Sequence, residues 1–301
     1  MSILKQTDFT NLGAKKIGKV RDVYVQSDKI ILITTDRLTG FDRILAHIPH
    51  KGAVLNLVSA FWFEQTKDII PNHVIDVPDP NVTVCMKCDP LRIEGVVRGY
   101  LTGITDTAIW TRYQKGERNF GGVKLPDGME KNQKLSRPIF DPTTKEDVHD
   151  RTLSKKQMIA EGFISEELFA KVEKAALALF KRGQDVAAKR GLILVDTKYE
   201  FGLDNDGALT LIDELHTPDS SRWWREGSQD FMDKEFLRLW FKEHCDPYKD
   251  KILPEAPPEM IAELSRRYIA IYELLTGKKF EIDATIPIEE RIEKNLKKYE
   301  I

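Results

Sequence analysis

Hydrophobic and polar residues alternate with period two along residues 192–203, which is the pattern of a β-strand with two different faces. One face carries Leu192, Leu194, Asp196, Lys198 and Glu200. The other face carries Ile193, Val195, Thr197, Tyr199, Phe201 and Leu203. A second β-rich run follows an Asx-rich turn with an Asp-Gly pair, a strong signal for a β-hairpin. Residues 192–215 are therefore predicted to form a hairpin with a polar face.

The register of this hairpin determines which carboxylates meet. If the Asp-Gly pair at 206–207 forms the two central turn residues, Glu200 lies opposite Asp213, whereas a four-residue loop would place it opposite Leu211. Directly opposed side chains are about 4.5–5.5 Å apart, and like charges there destabilise the pair. A cation would remove that cost, and Mg²⁺ favours one or two carboxylates together with phosphate oxygens. The two-residue turn therefore predicts a metal–nucleotide site at Glu200 and Asp213.

A solvated sheet face is the alternative interpretation, because alternating polar residues usually face water. Lys198 and Asp196, predicted on the same face, would then be surface residues rather than catalytic ones. The next segment, LHTPDSSRWW (215–224), favours function. It places Asp219, two serines and Arg222 beside two tryptophans, directly after the hairpin.

The fold class follows from the order of the remaining elements. Residues 17–34, 83–88 and 91–100 are predicted to form strands. Apolar residues at helical spacing predict helices at about 54–66, 155–161, 166–189, 230–244, 259–275 and 287–299. Residues 114–150 show little periodicity, and a segment of that length is expected to be functional or to carry short elements. Antiparallel hairpins separated from runs of helix indicate an α+β fold rather than a doubly wound sheet.

Composition excludes several classes of partner. The chain has 301 residues, 41% hydrophobic and 31% charged, with a net charge of −2, so no basic surface points to nucleic acid. Its longest apolar run, VLNLVSAFWF (54–63), is far shorter than the ~20 residues of a membrane span. No signal peptide is visible at the N-terminus, and three cysteines suit a reducing compartment. We expect a cytoplasmic protein that binds neither membrane nor nucleic acid.

Basic side chains near the N-terminus are candidates for phosphate binding. In GKVRDVY (18–24), Gly18 allows close backbone approach, and Lys19 and Arg21 are predicted on one strand face, where two cations can hold a triphosphate. The chain contains neither a Walker motif nor GxGxxG. The alternative for this segment is an exposed strand edge. Arg98 lies in an otherwise apolar strand, so it is expected to have an anionic partner, either a structural carboxylate or a ligand.

Two of these strings, LVDTKYEFG (194–202) and DELHTPDSSRWW (213–224), closely resemble the SAICAR synthetase family. Further matching segments occur in the expected order: GKVRDVY (18–24), TDRLTGFD (35–42), IPHKGAVLN (48–56), VVRGYLTG (96–103), PTTK (142–145) and HD (149–150). The resemblance covers roughly residues 13–285, and the joint order of the motifs is highly specific. It implies two lobes, 1–95 and 96–301, with antiparallel sheets and a nucleotide cleft between them that is distantly similar to those of ATP-grasp enzymes and kinases.

The resemblance also implies a site for ATP and Mg²⁺. The hairpin at 18–24 would cover the ATP phosphates, the strand VCMKC (84–88) would lie at the adenine edge, and Glu94 would lie near the ribose. The residues implied for ATP are Gly18, Lys19, Arg21, Met86, Lys87 and Glu94, with Glu200 and Asp213 for Mg²⁺. The implied catalytic residues are Lys198, Asp196 and Asp150, the last in the HD motif.

A ribotide and L-aspartate are the other implied substrates. Arg98 and Arg222 match positions that hold the ribotide phosphate. Asp219 and Ser221 match positions that bind the ribotide and order the loop, and Lys234 matches a lysine near the substrate cleft, with a simple surface lysine as the alternative. The sequence departs from the family where Ile104 replaces the usual serine after YxTG, so that Thr105 or Thr107 could supply the hydroxyl, and where DSS replaces DGS.

The resemblance implies an ATP-dependent carbon–nitrogen ligase of purine biosynthesis. It would join L-aspartate to carboxyaminoimidazole ribotide (CAIR) through an acyl phosphate, giving SAICAR, ADP and phosphate. Another ATP- and Mg²⁺-dependent carboxylate–amine ligase or a small-molecule kinase on the same fold is the alternative. A catalytically dead nucleotide-binding module is a further class, against which the intact Glu200, Asp213 and Lys19 argue.

Overall fold

A computed structural model describes residues 2–145, 151–228, 230–283 and 285–301 of the chain. Its strands are β1 (Ala14–Ile17), β2 (Arg21–Val25), β3 (Lys29–Thr34), β4 (Arg37–Gly40), β5 (Arg43–His47), β6 (Val74–Asp79), β7 (Val82–Met86), β8 (Asp89–Leu101), β9 (Asn119–Phe120), β10 (Val123–Lys124), β11 (Gln133–Phe140), β12 (Thr143–Thr144), β13 (Leu192–Leu203), β14 (Leu209–Ile212) and β15 (Ser221–Arg225). Its α-helices are α1 (Lys51–Thr66), α2 (Ile109–Gln114), α3 (Lys155–Ala160), α4 (Glu166–Ala188), α5 (Glu235–His244), α6 (Pro258–Thr276) and α7 (Ile288–Leu296). Short 3₁₀ turns lie at Thr10–Leu12 and Lys297–Tyr299.

The first sheet is antiparallel and has the strand order β1-β2-β3-β7-β6. Its central strands are rich in β-branched residues, which suit a buried pleated surface. A separate core cluster joins Ile31 and Ile33 to Leu4 near the N-terminus and to Ile292 and Leu296 of α7. Both ends of the chain therefore pack against this sheet, while α1 contacts it at β3, β6 and β7.

The second sheet has the order β11-β8-β13-β14, with β12 also paired to β8 and β15 also paired to β13. Helix α4 packs on β13 and β8. Its apolar stripe is buried at the predicted positions, Phe169, Val172, Ala176, Leu179 and Phe180. The helix begins where the Ser165 hydroxyl accepts the Leu168 N–H at 3.2 Å. The α+β class with antiparallel sheets is confirmed.

The two sheets meet beside β14. The Leu211 N–H donates to Pro71 O at 2.9 Å, and the His73 N–H donates to Leu211 O at 3.1 Å. Every strand of the first sheet precedes residue 95, and residue 95 itself lies inside β8, which belongs to the second sheet from its first residue. The division into lobes at 95 stays a prediction.

Most predicted elements occur, with shifted ends. Helix α1 begins at Lys51 rather than near 54, and α5 begins at Glu235 rather than near 230. The 114–150 segment carries β9–β12 within its described part. Among the helices of the described residues, none combines the length and apolar character of a membrane span.

The hairpin of β13 and β14 differs from the prediction. Glu200 pairs with Ile212, not with Asp213 or Leu211. The loop has three residues, because the Asp204 N–H bonds Ala208 O at 3.0 Å and Gly207 takes a φ of 77°. A type I turn closed by a left-handed glycine is the common three-residue hairpin loop. The prediction of a two-residue turn is therefore wrong, because the loop is one residue longer.

Candidate active site

Strand β13 carries most of the polar side chains of the candidate site, and a bulge decides which way they face. The register between β13 and β15 shifts by one residue just after Leu194. Leu192 and Leu194 are buried in the same core as Tyr199 and Phe201, although simple alternation puts the two pairs on opposite faces. The prediction that these leucines share a face with residues 196, 198 and 200 is therefore wrong. The bulge exchanges the faces, so that Leu192 and Leu194 before it pack in the same core as Tyr199 and Phe201 after it.

Two carboxylates lie directly opposite each other on β8 and β13. Glu94 and Glu200 are register partners, and Lys198 Nζ bonds Oε1 of each at 2.8 Å. These carboxylates raise the pKa of Lys198 well above its ordinary value, against the effect of burial. Lys145, which follows β12, pairs with the second oxygen of Glu200. Although burial opposes it, Lys198 and Lys145 lower the pKa of Glu200 to about 2.

Asp213 lies just beyond the end of β14, where its φ of 66° turns the chain out of the strand. Its Oδ1 accepts a hydrogen bond from Arg21 NH1 at 3.0 Å, while Arg21 NH2 bonds Glu214 at 2.8 Å. Burial raises the pKa of Asp213 to about 6, Glu200 and Glu214 add to the rise, and Arg21 opposes it. Arg21 therefore joins the first sheet to the carboxylates of the second.

Two arginines flank Asp196 in the sheet. Asp196 is the register partner of Arg98 on β8 and of Arg222 on β15. Arg222 NH1 bonds Asp196 Oδ2 at 2.7 Å, while Arg222 Nε is buried with no hydrogen-bond partner among the described residues. The guanidinium of Arg222 packs against Gly103, where a Cβ would lie 2.7 Å from NH2. Arg222 thus lies against the turn that follows β8.

Arg98 has the carboxylate partner that its apolar setting required. Its Nε bonds Asp141 Oδ2 at 2.7 Å, and its NH2 bonds Thr107 O at 3.0 Å. Arg112 NH1 shares the same Asp141 oxygen at 2.6 Å. In the turn above, Thr105 is half-buried and its carbonyl accepts the N–H of residue 108. Asp141 thus gathers two arginines beside this turn.

A third group of charged side chains surrounds Asp219 in the PDSSR segment (218–222). Asp219 is buried, and it pairs with Lys51 Nζ at 2.8 Å and accepts the Tyr268 hydroxyl at 2.8 Å. Against the effect of burial, Lys234 and Lys51 lower its pKa well below the ordinary range. Burial lowers the pKa of Lys234 to about 8. Ser221 Oγ bonds the Thr197 hydroxyl at 2.7 Å across the strands.

The residues predicted to bind ATP lie on the first sheet. Gly18 and Lys19 form the β1–β2 turn, where the Gly18 N–H bonds Arg21 O at 2.8 Å. The prediction that Lys19 shares a strand face with Arg21 is wrong, since Lys19 is exposed in the turn and pairs with Asp42. The N–H groups of residues 86 and 87 bond His73 O and the carbonyl of residue 28 at 2.7 and 3.1 Å. Met86 and Lys87 thus lie at the edge where the sheets meet, with both amides engaged.

Comparison with known proteins gives the family. The profile described as SAICAR synthetase matches residues 15–255. The chain belongs to the SAICAR synthetase family. Phosphoribosylaminoimidazole-succinocarboxamide synthase of Legionella pneumophila strain Paris is 52% identical over 298 residues, which cover 95% of this chain and 96% of that protein. The chloroplastic protein of that name from Arabidopsis thaliana is 52% identical over 92% of this chain and 70% of its own length.

Solved structures agree with this assignment. SAICAR-synthase from Saccharomyces cerevisiae complexed with SAICAR has a TM-score of 0.79 and 30% identity, covering 93% of this chain and all of that one. A SAICAR synthetase solved in complex with ADP has a TM-score of 0.71 and 27% identity over 89% of this chain. The resemblance found in the motifs is confirmed, and with it an enzyme of the ligase class that acts in purine biosynthesis.

The SAICAR synthetase motifs converge only in part. Residues 94, 198, 200 and 213 come together with Arg21, and residues 98, 196 and 222 are neighbours across three strands. Ser221 contacts Thr197 on β13, and Asp219 and Lys234 influence each other, whereas Lys19 stands apart in its turn. Asp150 and His149 lie outside the described residues.

Four charged residues were not predicted as part of the site, namely Lys51, Asp141, Lys145 and Glu214. Three of them stand in motifs already recognised, Lys51 in IPHKG, Lys145 in PTTK and Glu214 in DELHTPDSSRWW. Lys51 is fully buried and Asp141 is 3% exposed. A charged residue next to an apolar run was the signal that could have indicated them, since such residues are rarely buried unpaired.

The carboxylates also decide whether a metal fits. Within the described parts of the chain, no cluster of three or more His, Cys, Asp or Glu side chains could hold a metal by itself. Mg²⁺ does not require one, because it commonly takes one or two carboxylates and completes its shell with water and phosphate oxygens. Glu200 and Asp213 supply two carboxylates. Burial and the neighbouring Glu200 and Glu214 disfavour the ionised form of Asp213, which a bound cation would stabilise. The donor set therefore fits Mg²⁺ bound together with a nucleotide.

Proposed function

We propose that this chain joins L-aspartate to CAIR with ATP, giving SAICAR, ADP and phosphate, by way of an acyl phosphate. The observation that carries the proposal is the division of charge along β13. Carboxylates gather around Glu200, while Arg98 and Arg222 flank Asp196. Asp196 and Glu200 lie four positions apart along the strand, a distance of about 13 Å. One end suits a metal–nucleotide and the other suits the phosphate of a ribotide.

The chemistry needs activation before an amine can react. A carboxylate oxygen of CAIR attacks the γ-phosphorus of ATP, and the bond to ADP breaks, which leaves an acyl phosphate. The α-amino nitrogen of L-aspartate then attacks the acyl carbon, the nitrogen loses a proton, and phosphate leaves with the former carboxylate oxygen. The enzyme needs no covalent nucleophile, because positioning and charge neutralisation suffice for both steps.

ATP is proposed to bind between the lobes 1–95 and 96–301, in a cleft distantly like those of kinases. The turn at Gly18 and Lys19 and the guanidinium of Arg21 would face its phosphates, with Met86 and Lys87 beside the adenine. Glu94 is already held by Lys198 at 2.8 Å, so it would reach a ribose hydroxyl only through its second oxygen. That oxygen lies 3.5 Å from Thr143 Oγ1.

Mg²⁺ is proposed to bind Glu200 and Asp213. When bound, it supplies charge neutralisation at the phosphate oxygens. Arg21 lies on Asp213 and would neutralise charge from the side of the first sheet. Lys198 holds the two opposed glutamates together and would keep their carboxylates in place.

The ribotide phosphate is proposed to lie between Arg98 and Arg222, under the turn that holds Thr105. Although burial opposes it, Asp196 and Glu235 raise the pKa of Arg222, so its charge is permanent. The Nε of Arg222, which has no hydrogen-bond partner in the described part of the chain, is a donor that a phosphate oxygen could use. Asp196 then acts by orienting Arg222 rather than by touching the reacting atoms.

L-Aspartate is proposed to bind near Lys234, Asp219, Ser221 and Asp150. The Lys51 and Tyr268 contacts fix Asp219 in the protein interior, so its part is to hold the loop. Lys234 lacks a carboxylate within 4 Å among the described residues, which leaves its ammonium for a substrate carboxylate. We propose that the protein has no nucleic-acid partner, on the basis of its net charge of −2, and that it is cytoplasmic, because its three cysteines suit a reducing compartment.

A coupled assay of ADP release tests the proposal. ADP should form at the full rate only when ATP, CAIR and L-aspartate are all present. With CAIR labelled by ¹⁸O in its carboxylate, one label should appear in the released phosphate. ADP release at the same rate without CAIR would indicate a phosphatase or kinase, and unlabelled phosphate would exclude the acyl phosphate.

A further inference from the structure

Both oxygens of Glu200 are occupied by ammonium groups. Lys198 Nζ lies 2.8 Å from Oε1, and Lys145 Nζ contacts Oε2. Glu94 faces Glu200 directly across the strands. Two like charges at this spacing destabilise the pair, and the two lysines offset that cost. The charges are thus balanced with no metal present.

The two lysines are held differently. Lys198 is anchored by Glu200 and Glu94 at equal distances, and it lies within β13. Lys145 follows the last residue of β12, its side chain is 42% exposed, and its ion pair within the described residues is with Glu200. Its backbone is fixed, because the Lys145 N–H bonds Arg92 O at 2.9 Å. The side chain of Lys145 can therefore leave Glu200 without moving the strand and with the loss of one ion pair among the described residues, whereas Lys198 would lose two.

We propose that Lys145 is an internal substitute for the metal. It neutralises Glu200 while the site is empty, and the arrival of Mg²⁺ with the nucleotide displaces its ammonium. The displaced ammonium is then within a side chain's length of the phosphoryl group to be transferred, where it offsets negative charge. The inference rests on the proposed function, since it requires Glu200 to be a ligand of Mg²⁺.

A competing ammonium has effects of opposite sign on binding and on turnover. Because Lys145 and the metal exclude each other at Glu200, removal of the lysine should tighten metal binding in the absence of nucleotide. The same removal should slow turnover, because a cation is lost from the transferred group. A lysine that only stabilised the fold would produce neither result. Repulsion between the ammonium of Lys145 and a metal ion at Glu200 should weaken metal binding at least tenfold.

Mn²⁺ serves as the probe, since its free ion can be counted by electron paramagnetic resonance. Titration of the full chain without nucleotide should show at least tenfold tighter Mn²⁺ binding by Lys145→Gln than by the unaltered protein. Its kcat in the ADP assay should fall at least tenfold. Lys145→Arg keeps a cation on Glu200 and should bind Mn²⁺ as weakly as the unaltered protein. Lys171→Gln removes an equal charge from an exposed pair on α4 and should change neither quantity.

Two further outcomes are decisive. Weaker or equal Mn²⁺ binding by Lys145→Gln, together with loss of binding in Glu200→Gln, would overturn the inference and leave Glu200 as the ligand. Unchanged Mn²⁺ binding in both variants would move the metal away from Glu200, and the inference would fall with that assignment. Melting temperatures of the metal-free variants, expected within a few degrees of the unaltered protein, would show that each is folded. Added Mn²⁺ should raise the melting temperature of Lys145→Gln most.

Discussion

Replacement of Asp213 by asparagine should stabilise the ligand-free protein while it impairs the enzyme. Asp213 is surrounded by carboxylates, and burial, Glu200 and Glu214 together raise its pKa to about 6. Its backbone φ of 66° is one that asparagine adopts more readily than most residues. The variant therefore removes a costly charge without straining the chain.

The size of the effect follows from the pKa. The ordinary pKa of an aspartate is 3.8, and that of Asp213 in the folded protein is about 6. The folded state therefore binds this proton more tightly than the unfolded chain by about 3 kcal/mol. Ionisation therefore costs stability as the pH rises from about 4 through about 6. Below pH 4 both states are protonated and the variant gains nothing. At pH 8 it should be more stable by about 1–3 kcal/mol, since asparagine also loses part of the contact with Arg21.

Urea unfolding of the metal-free proteins between pH 4 and 8 measures this difference. Asp127→Asn is the matched control, because Asp127 is 90% exposed and pairs with Arg118 on the surface. Its stability should change by no more than about 0.5 kcal/mol at any pH. Steady-state rates at varied Mg²⁺ should show that Asp213→Asn needs more metal and turns over slowly. A variant less stable than the unaltered protein at pH 8 would refute the reasoning and make Asp213 a structural acceptor for Arg21.

Four other substitutions test the remaining parts of the site and one buried polar pair of the core. Arg222→Lys keeps the charge but loses the forked donor, so KM for CAIR should rise about tenfold or more with KM for ATP nearly unchanged; the reverse pattern would place Arg222 at the nucleotide. Thr105→Val should weaken CAIR binding and Ile104→Ser should be tolerated, and normal kinetics of Thr105→Val would show that its hydroxyl is not used. Tyr199→Phe removes the buried 2.6 Å bond to His216 Nε2 and should cost about 1–3 kcal/mol in urea unfolding, whereas a loss below the error of the measurement would mean that the ring pair packs equally well without it.

Local signals account for the parts of the fold that were predicted correctly. The apolar stripe of α4 recurs at helical spacing, and Ser165 stands at its start as an N-cap. Gly277 closes α6 with a φ of 70°. Each of these features depends on residues within one or two turns of each other, and so the sequence pattern contains them. Helix α1 was placed three residues late, because its first residue, Lys51, pairs with Asp219, 168 positions away, and is not part of the apolar pattern that predicted the helix.

The errors in the hairpin have a common origin. A bulge adds one residue and a three-residue loop replaces a two-residue one, and neither changes composition or average periodicity. Asp204 reveals the loop only in three dimensions, where its side chain accepts the N–H groups of residues 206 and 208 at 3.0 and 2.8 Å. Because side chains alternate with period two, a shift of one residue is enough to exchange the faces of a strand.

The predicted pairing of Glu200 with Asp213 nonetheless identified two carboxylates that influence each other, for a reason other than the one assumed. The ladder pairs Glu200 with Ile212, so direct opposition across the strands does not bring the carboxylates together. The left-handed backbone at Asp213 turns the chain away from the strand, and Arg21, 192 residues earlier, fixes its side chain. The like charge that truly faces Glu200 is Glu94 on β8. Glu200 is therefore repelled by carboxylates on two sides, Glu94 and Asp213. A metal or a lysine bound at Glu200 offsets both repulsions.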